Sequence, residues 1–130
     1  MSTGAIHADQ YSSYKAGVAV GQYVAVKIDA SADNQIDLAD ANTDEGIGIT
    51  QLAQTTVGAL VAVKKSGQSL CKAGTGGWTR GDKLTGSTSG TLVKTTTAGQ
   101  KVVAIAGDTV SVDEYGEVQI VSPALRYDSF

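Results

Sequence analysis

The sequence predicts an all-β fold, a single small antiparallel β-barrel or β-sandwich of short hairpins with little or no helix. Three observations predict it. Apolar residues recur with the period of two that belongs to half-buried strands, not with a helical period. Turn-forming clusters interrupt these runs at short intervals. The composition is rich in glycine, 16 of 130 residues, and only 18% of residues are charged, against about 25% in an average soluble domain. A chain of this length holds one ordinary core and can fold without disulfides or a structural metal.

Taken in order, Val24, Val26 and Ile28 alternate and give the first clear strand, which turns at Asp33-Asn34 into a second strand at Ile36 and Leu38. Asn42 to Gly46 form the next turn, and Ile47 and Ile49 the next strand. Leu52 to Val57 is the best helical candidate, yet it is too short and too rich in threonine for more than a turn or two. Val61 and Val63 alternate before the Lys65-Ser66-Gly67 turn, and Cys71 lies in a strand-like run that ends at Gly74 to Gly77. Turns at Thr85 to Gly90 and at Ala98-Gly99 lead to the last alternations, Val110 with Val112 and Val118 with Ile120. Strands this short and evenly spaced belong in barrels or sandwiches, the architectures that limit exposed sheet edges.

A weak internal repeat is visible. Gly21-Gln22-Tyr23-Val24, Ile47-Gly48-Ile49 and Gly58 to Val63 are echoed by Gly81-Asp82-Lys83-Leu84, Val103-Ala104-Ile105 and Gly116 to Val121. Self-similarity of this kind implies two related β motifs folded against each other.

The ends differ from the middle. Four of the seven aromatic residues, Tyr11, Tyr14, Tyr127 and Phe130, lie in the first fourteen or last four positions. A small domain normally spends its few large rings inside, and termini fray unless docked. The chain therefore divides into an N-terminal arm (1–15), a β domain (16–122) and a C-terminal tail (123–130). The two ends either order on a neighbouring subunit or partner, or fold back on their own barrel. The expected contact residues are Ile6, Tyr11, Tyr14, Leu125, Tyr127 and Phe130, with Arg126 as a carboxylate partner.

Catalytic and metal chemistry finds little support in the residues. His7 is the sole histidine, so no Ser-His-Asp, Cys-His or multi-histidine zinc set can be assembled in one chain. Gly76 to Lys83 matches a phosphate loop except that Asp82 stands where the lysine belongs, and Gly74-x-Gly76 lacks the rest of a dinucleotide motif. Asp29, Ser31, Asp33, Asn34, Ile36 and Asp40 follow the spacing of a calcium loop, but a plain hairpin turn explains the same residues. The pairs Asp44-Glu45 and Asp113-Glu114 are adjacent and would face opposite sides of a strand, so no hydrolytic carboxylate pair is set into a shared cleft. The expectation is a protein that is not an enzyme, with no cofactor and no metal. A net charge of −3 and a pI near 4.9 argue against nucleic acid and against an anionic membrane. Cys71, the single cysteine, cannot close an intrachain disulfide; no export signal and no membrane-spanning stretch is read, which points to synthesis in the cytoplasm.

The order Ala16-Gly17, Val24-Ala25-Val26-Lys27, Gly46-Ile47-Gly48-Ile49 and Gly58-Ala59-Leu60-Val61-Ala62-Val63, with its partial echo from Gly81 to Val121, resembles the small capsid decoration, or cement, proteins of tailed bacteriophages. The resemblance covers roughly residues 15 to 122. It implies a compact β domain that assembles as a homotrimer on the outer surface of the icosahedral head and clamps neighbouring copies of the major capsid protein. The alternative is a glycan- or receptor-binding β module of a virion fibre, for which Trp78 and Tyr115 are the candidate aromatic platforms.

Overall fold

The computed structural model describes residues 10–121. Among them the chain forms ten strands: β1 (Tyr11–Ala16), β2 (Ala25–Ile28), β3 (Gln35–Leu38), β4 (Gly46–Thr50), β5 (Leu60–Lys64), β6 (Gly67–Lys72), β7 (Lys83–Gly86), β8 (Leu92–Lys94), β9 (Ala104–Ala106) and β10 (Tyr115–Ile120). A 3-10 turn at Thr88–Gly90 is the helical element described. The all-β expectation holds. β1 to β5 close a barrel in the order β1-β3-β2-β4-β5, and β6 to β10 form a second sheet in the order β6-β10-β9-β7-β8.

Three local expectations are corrected. Tyr11 to Lys15, grouped with an arm on composition, form most of β1, paired antiparallel with β5 from Tyr11↔Lys64 to Lys15↔Leu60. Its partly buried positions hold Ser12 and Tyr14, so no apolar alternation announced a strand. Val110 and Val112 alternate without being a strand. Val110 makes one isolated bridge to Trp78, and Val112 is exposed beside Asp113, whose φ of 66° belongs to a turn. Leu52 to Val57 makes no helix; Gln54 is instead tied to Val20 by a reciprocal pair of backbone hydrogen bonds, each 2.9 Å.

The two halves have the same topology. The parallel β1–β3 pairing at Ala16↔Ile36 is repeated by the single parallel bridge Ala73↔Leu92, which brings the two ends of the second sheet together. The bridge Val20↔Gln54 is matched by Trp78↔Val110, the pair Val26↔Gly48 by Leu84↔Ala104, and Tyr14↔Val61 by Cys71↔Gly116. Left-handed backbone recurs at matched places, Tyr23 with Gly81, Asn34 with Gly90, and Gly58 with Asp113. The repeat read from sequence is therefore real at Ile47-Gly48-Ile49 over Val103-Ala104-Ile105. It slips at its glycines, because Gly81 is matched by Tyr23 and not Gly21, and Gly116 by Val61 and not Gly58.

Each half fills the same interior with different residues. In the first barrel Ala16, Val20, Val24, Val26, Ile36, Val61 and Val63 make the core. In the second sheet Trp78 takes the place of Val20, and its ring occupies space left by Gly116 where the barrel has Val61: a methyl group at Gly116 would meet Trp78 Cζ2 at 2.8 Å. Large and small residues have exchanged across the strand pair at constant filling. The two interiors are joined, since Ala25, Ala39 and Ile49 of the first barrel pack into the core formed by Cys71, Leu84, Leu92, Val103 and their neighbours.

Gly116→Ala should cost about 1–3 kcal/mol in urea unfolding, the usual penalty of overpacking. In a Trp78→Val background part of that cost should vanish, as a coupling above about 0.5 kcal/mol. Strictly additive costs would show that the ring and the glycine do not compete for the same space.

Candidate functional site

Of the contact residues expected from sequence, Tyr11 and Tyr14 are described, both on β1; Ile6, Leu125, Arg126, Tyr127 and Phe130 lie outside the described residues. The two tyrosines differ. Tyr14 packs its ring against the barrel core, opposite Val61, while Lys65 Nζ donates to its hydroxyl at 3.2 Å. Tyr11 faces outward and is exposed, with Lys64 Nζ 5.5 Å from the ring centre. Lys64 itself is buried and donates to the Gln68 carbonyl across the β5–β6 hairpin. Tyr11 is thus available to a partner, and Tyr14 serves the barrel wall.

The polar groups with the clearest geometry hold turns. Asp29 Oδ1 accepts from the Ser31 N–H at 2.9 Å and the Ser31 hydroxyl at 2.6 Å, and Oδ2 accepts from Gln35 Nε2 at 2.8 Å. These bonds favour the carboxylate and pull the pKa of Asp29 from 3.8 down to about 2. Of the residues spaced like a calcium loop, those from Asp29 to Ile36 lie in the β2–β3 hairpin and Asp40 lies in the next turn, and among the described residues no group of three or more His, Cys, Asp or Glu side chains gathers as a metal site. Asp44 does similar work in the next turn, accepting from the N–H groups of Asp40 and Ala41 while forming a 3.0 Å ion pair with Lys27 on β2. That hydrogen bond to Asp44 raises the pKa of Lys27.

A groove of about 1010 Å³ runs past Asp40, Asn42, Trp78, Asp82, Lys94 and Thr96. Asp82, which faces the groove, is committed to its own turn, accepting from the Thr79 N–H at 2.8 Å, with Lys94 Nζ 3.9 Å away. Trp78 is only 3% exposed, so it offers no ring face to a sugar. Tyr115 is half exposed and meets Tyr23 edge-on, with ring centres 5.9 Å apart. Cys71 is fully buried, and burial pushes its thiol up to about 12, so it stays protonated and unreactive at neutral pH. What the arrangement offers chemically is contact surface. Val57, Leu60, Val112 and Tyr115 are exposed around two tight turns; Tyr115 is the aromatic platform singled out from sequence, whereas Val57 reads as part of a helical segment and Val112 as part of a strand, so their exposure was not foreseen.

The described residues thus form two small β units joined through one core, with apolar side chains exposed at two turns. One solved structure the chain resembles is the N base of the head fiber protein gp8.5 of bacteriophage phi29, at 20% sequence identity and a TM-score of 0.72, covering 88% of this chain and 95% of that one. The two share a fold. No family model matches the chain, and no curated protein matches it in sequence.

Two expectations follow. Because the pKa of Asp29 is lower in the folded chain than in the unfolded one, its contribution to stability is complete above pH about 4 and is lost as the pH falls towards about 2. Melting temperature against pH should therefore drop across that window in the wild type and drop less in Asp29→Asn; identical acid limbs would contradict the assignment. Cys71 should resist a thiol reagent at pH 8 in the native protein and react at once in denaturant. Rapid native labelling would show the core to be open there.

Proposed function

We propose that this chain is a non-enzymatic structural protein of a bacteriophage virion, a decoration protein that sits on the outer surface of the icosahedral head as a homotrimer and stabilises contacts between copies of the major capsid protein. The observation that carries this reading is the shared fold, over nearly the whole chain, with the base of a phage head fiber. Physical arguments favour it too. A clamp needs no catalytic group; it needs a stiff body and surfaces that engage several neighbours together, and here two hydrogen-bonded β units share a core. Linking three weakly binding protomers makes the later contacts intramolecular and can raise overall affinity by roughly 10² to 10⁴. A ligand that binds only the intact shell then stabilises it by mass action.

A second reading, a glycan- or receptor-binding module of a virion fibre, is favoured by the neighbour being part of a head fiber. The burial of Trp78 weighs against it, because that leaves Tyr115 as its exposed candidate platform.

Light scattering on the purified chain should give three times the 13.2 kDa protomer mass, and the protein should co-sediment with phage heads assembled without it and raise their melting temperature. A monomer that ignores heads but is retained on a glycan array would overturn the decoration reading in favour of the fibre module.

A further inference from the structure

Nine large apolar side chains are exposed among the described residues: Tyr11, Ile28, Leu52, Val57, Leu60, Leu70, Ile105, Val112 and Tyr115. Laid on the matched topology of the two halves, most have no exposed apolar counterpart. Ile28 corresponds to Gly86, Leu52 to Asp108, Tyr11 to Gln68, and Ile105 to the buried Ile49. Two positions are apolar and exposed in both. Val57 corresponds to Val112, at 63% and 50% exposure, and Leu60 to Tyr115, at 61% and 48%.

Each pair brackets a turn of the same construction. The Ala59 N–H donates to the Thr56 carbonyl at 3.1 Å, as the Glu114 N–H does to that of Ser111 at 3.2 Å, and the residue between the two carries positive φ, 90° at Gly58 and 66° at Asp113. Each turn is anchored alike, by an N–H donated from Gly58 to the Ala16 carbonyl and from Asp113 to that of Ala73. Apart from the edge contact of Tyr115 with Tyr23, these four side chains take no part in either core of the described residues. Tight turns favour polar residues, and side chains this exposed add little to the core. The halves have meanwhile exchanged Val20 for Trp78, Val61 for Gly116 and Tyr14 for Cys71. The exposed apolar pair is nevertheless common to both halves.

We infer that the Val57–Leu60 and Val112–Tyr115 turns are paired contact loops that engage two like sites on the repeating protein shell of the phage head. This rests on the head-associated reading above and deepens it by naming the surface. The size of the loops points to a repeating partner. One apolar pair offers on the order of 200 Å², well short of the roughly 800 Å² per partner of a stable interface. A single loop would bind only weakly, whereas two loops on one stiff body, multiplied by any oligomer, gain avidity from a partner that presents the same site again and again.

The test compares the wild type with Val57→Ser/Leu60→Ser, Val112→Ser/Tyr115→Gln and the combination of all four, each pelleted with phage heads assembled without the chain, alongside circular dichroism and light scattering. Each double variant should weaken pelleting on the order of tenfold, and the combined variant should abolish it, with fold and oligomer mass unchanged. Wild-type pelleting by the combined variant would overturn the contact loops and leave the head-associated reading standing. Loss of the oligomer in place of head binding would identify the turns as self-contacts and overturn the inference as well. Failure of the wild type itself to pellet would overturn the reading and the loops together. Where a serine variant melts early, Leu60→Gln and Tyr115→Gln, which keep a long side chain, give the same readout.

Discussion

The insertion of Ala25, Ala39 and Ile49 from the first barrel into the core of the second sheet is the contact on which the rest of the structure depends. It is a contact between backbones as much as side chains. Gly86 lies against the carbonyls of Ala39 and Ala41, Gly90 lies against the Ala25 carbonyl and Val24, and a methyl group at Gly46 would meet Val103 at 2.9 Å. Backbone groups pair across this seam: the Lys72 N–H donates to the Tyr23 carbonyl at 3.0 Å and the Lys101 N–H to the Asn42 carbonyl at 2.8 Å. Gln51 Nε2 donates to Ser69 Oγ at 3.0 Å across the same seam. Part of the high glycine content noted at the outset has its cause here: at Gly46, Gly86 and Gly90 the two β units approach too closely for larger side chains.

The matched topology also shows how the second half differs at the positions that form the seam. The positions equivalent to Ala25, Ala39 and Ile49 hold Lys83, Thr95 and Ile105, and Lys83 is exposed there. Ile105 is exposed as well and Thr95 is buried, so the second half presents a more polar, more solvated surface at the positions by which the first half meets its neighbour. Specialisation of this kind accounts for how the halves keep their hydrogen-bonding pattern while sharing few side chains.

Much of the strand content was legible because half-buried strands write their period into the sequence. Val24 to Ile28, Ile36 to Leu38, Val61 to Val63 and Val118 to Ile120 all lie in or overlap the strands where alternation put them. What was not legible follows from the same physics. β1 presents Ser12, Tyr14 and Ala16 on its more buried side, too polar and too uneven a set to read as one face. Val110 and Val112 have the right period, yet one bridges Trp78 and the other stands beside a left-handed residue, a distinction set by the partner strand. The repeat was seen through its glycines and misregistered by them, because a left-handed position can be filled by Tyr23 in one half and Gly81 in the other. The contact loops were invisible for a related reason: exposure of a valine is a property of the fold, and only the matched halves set Val57 beside Val112.

The central claim, that the two halves are one body joined through a shared core, is tested most directly by differential scanning calorimetry of the intact chain. A shared core requires a single transition whose calorimetric and van't Hoff enthalpies agree, shifted as a whole to lower temperature by Ile49→Ala. Two resolved transitions, only one of which moved with that substitution, would contradict it.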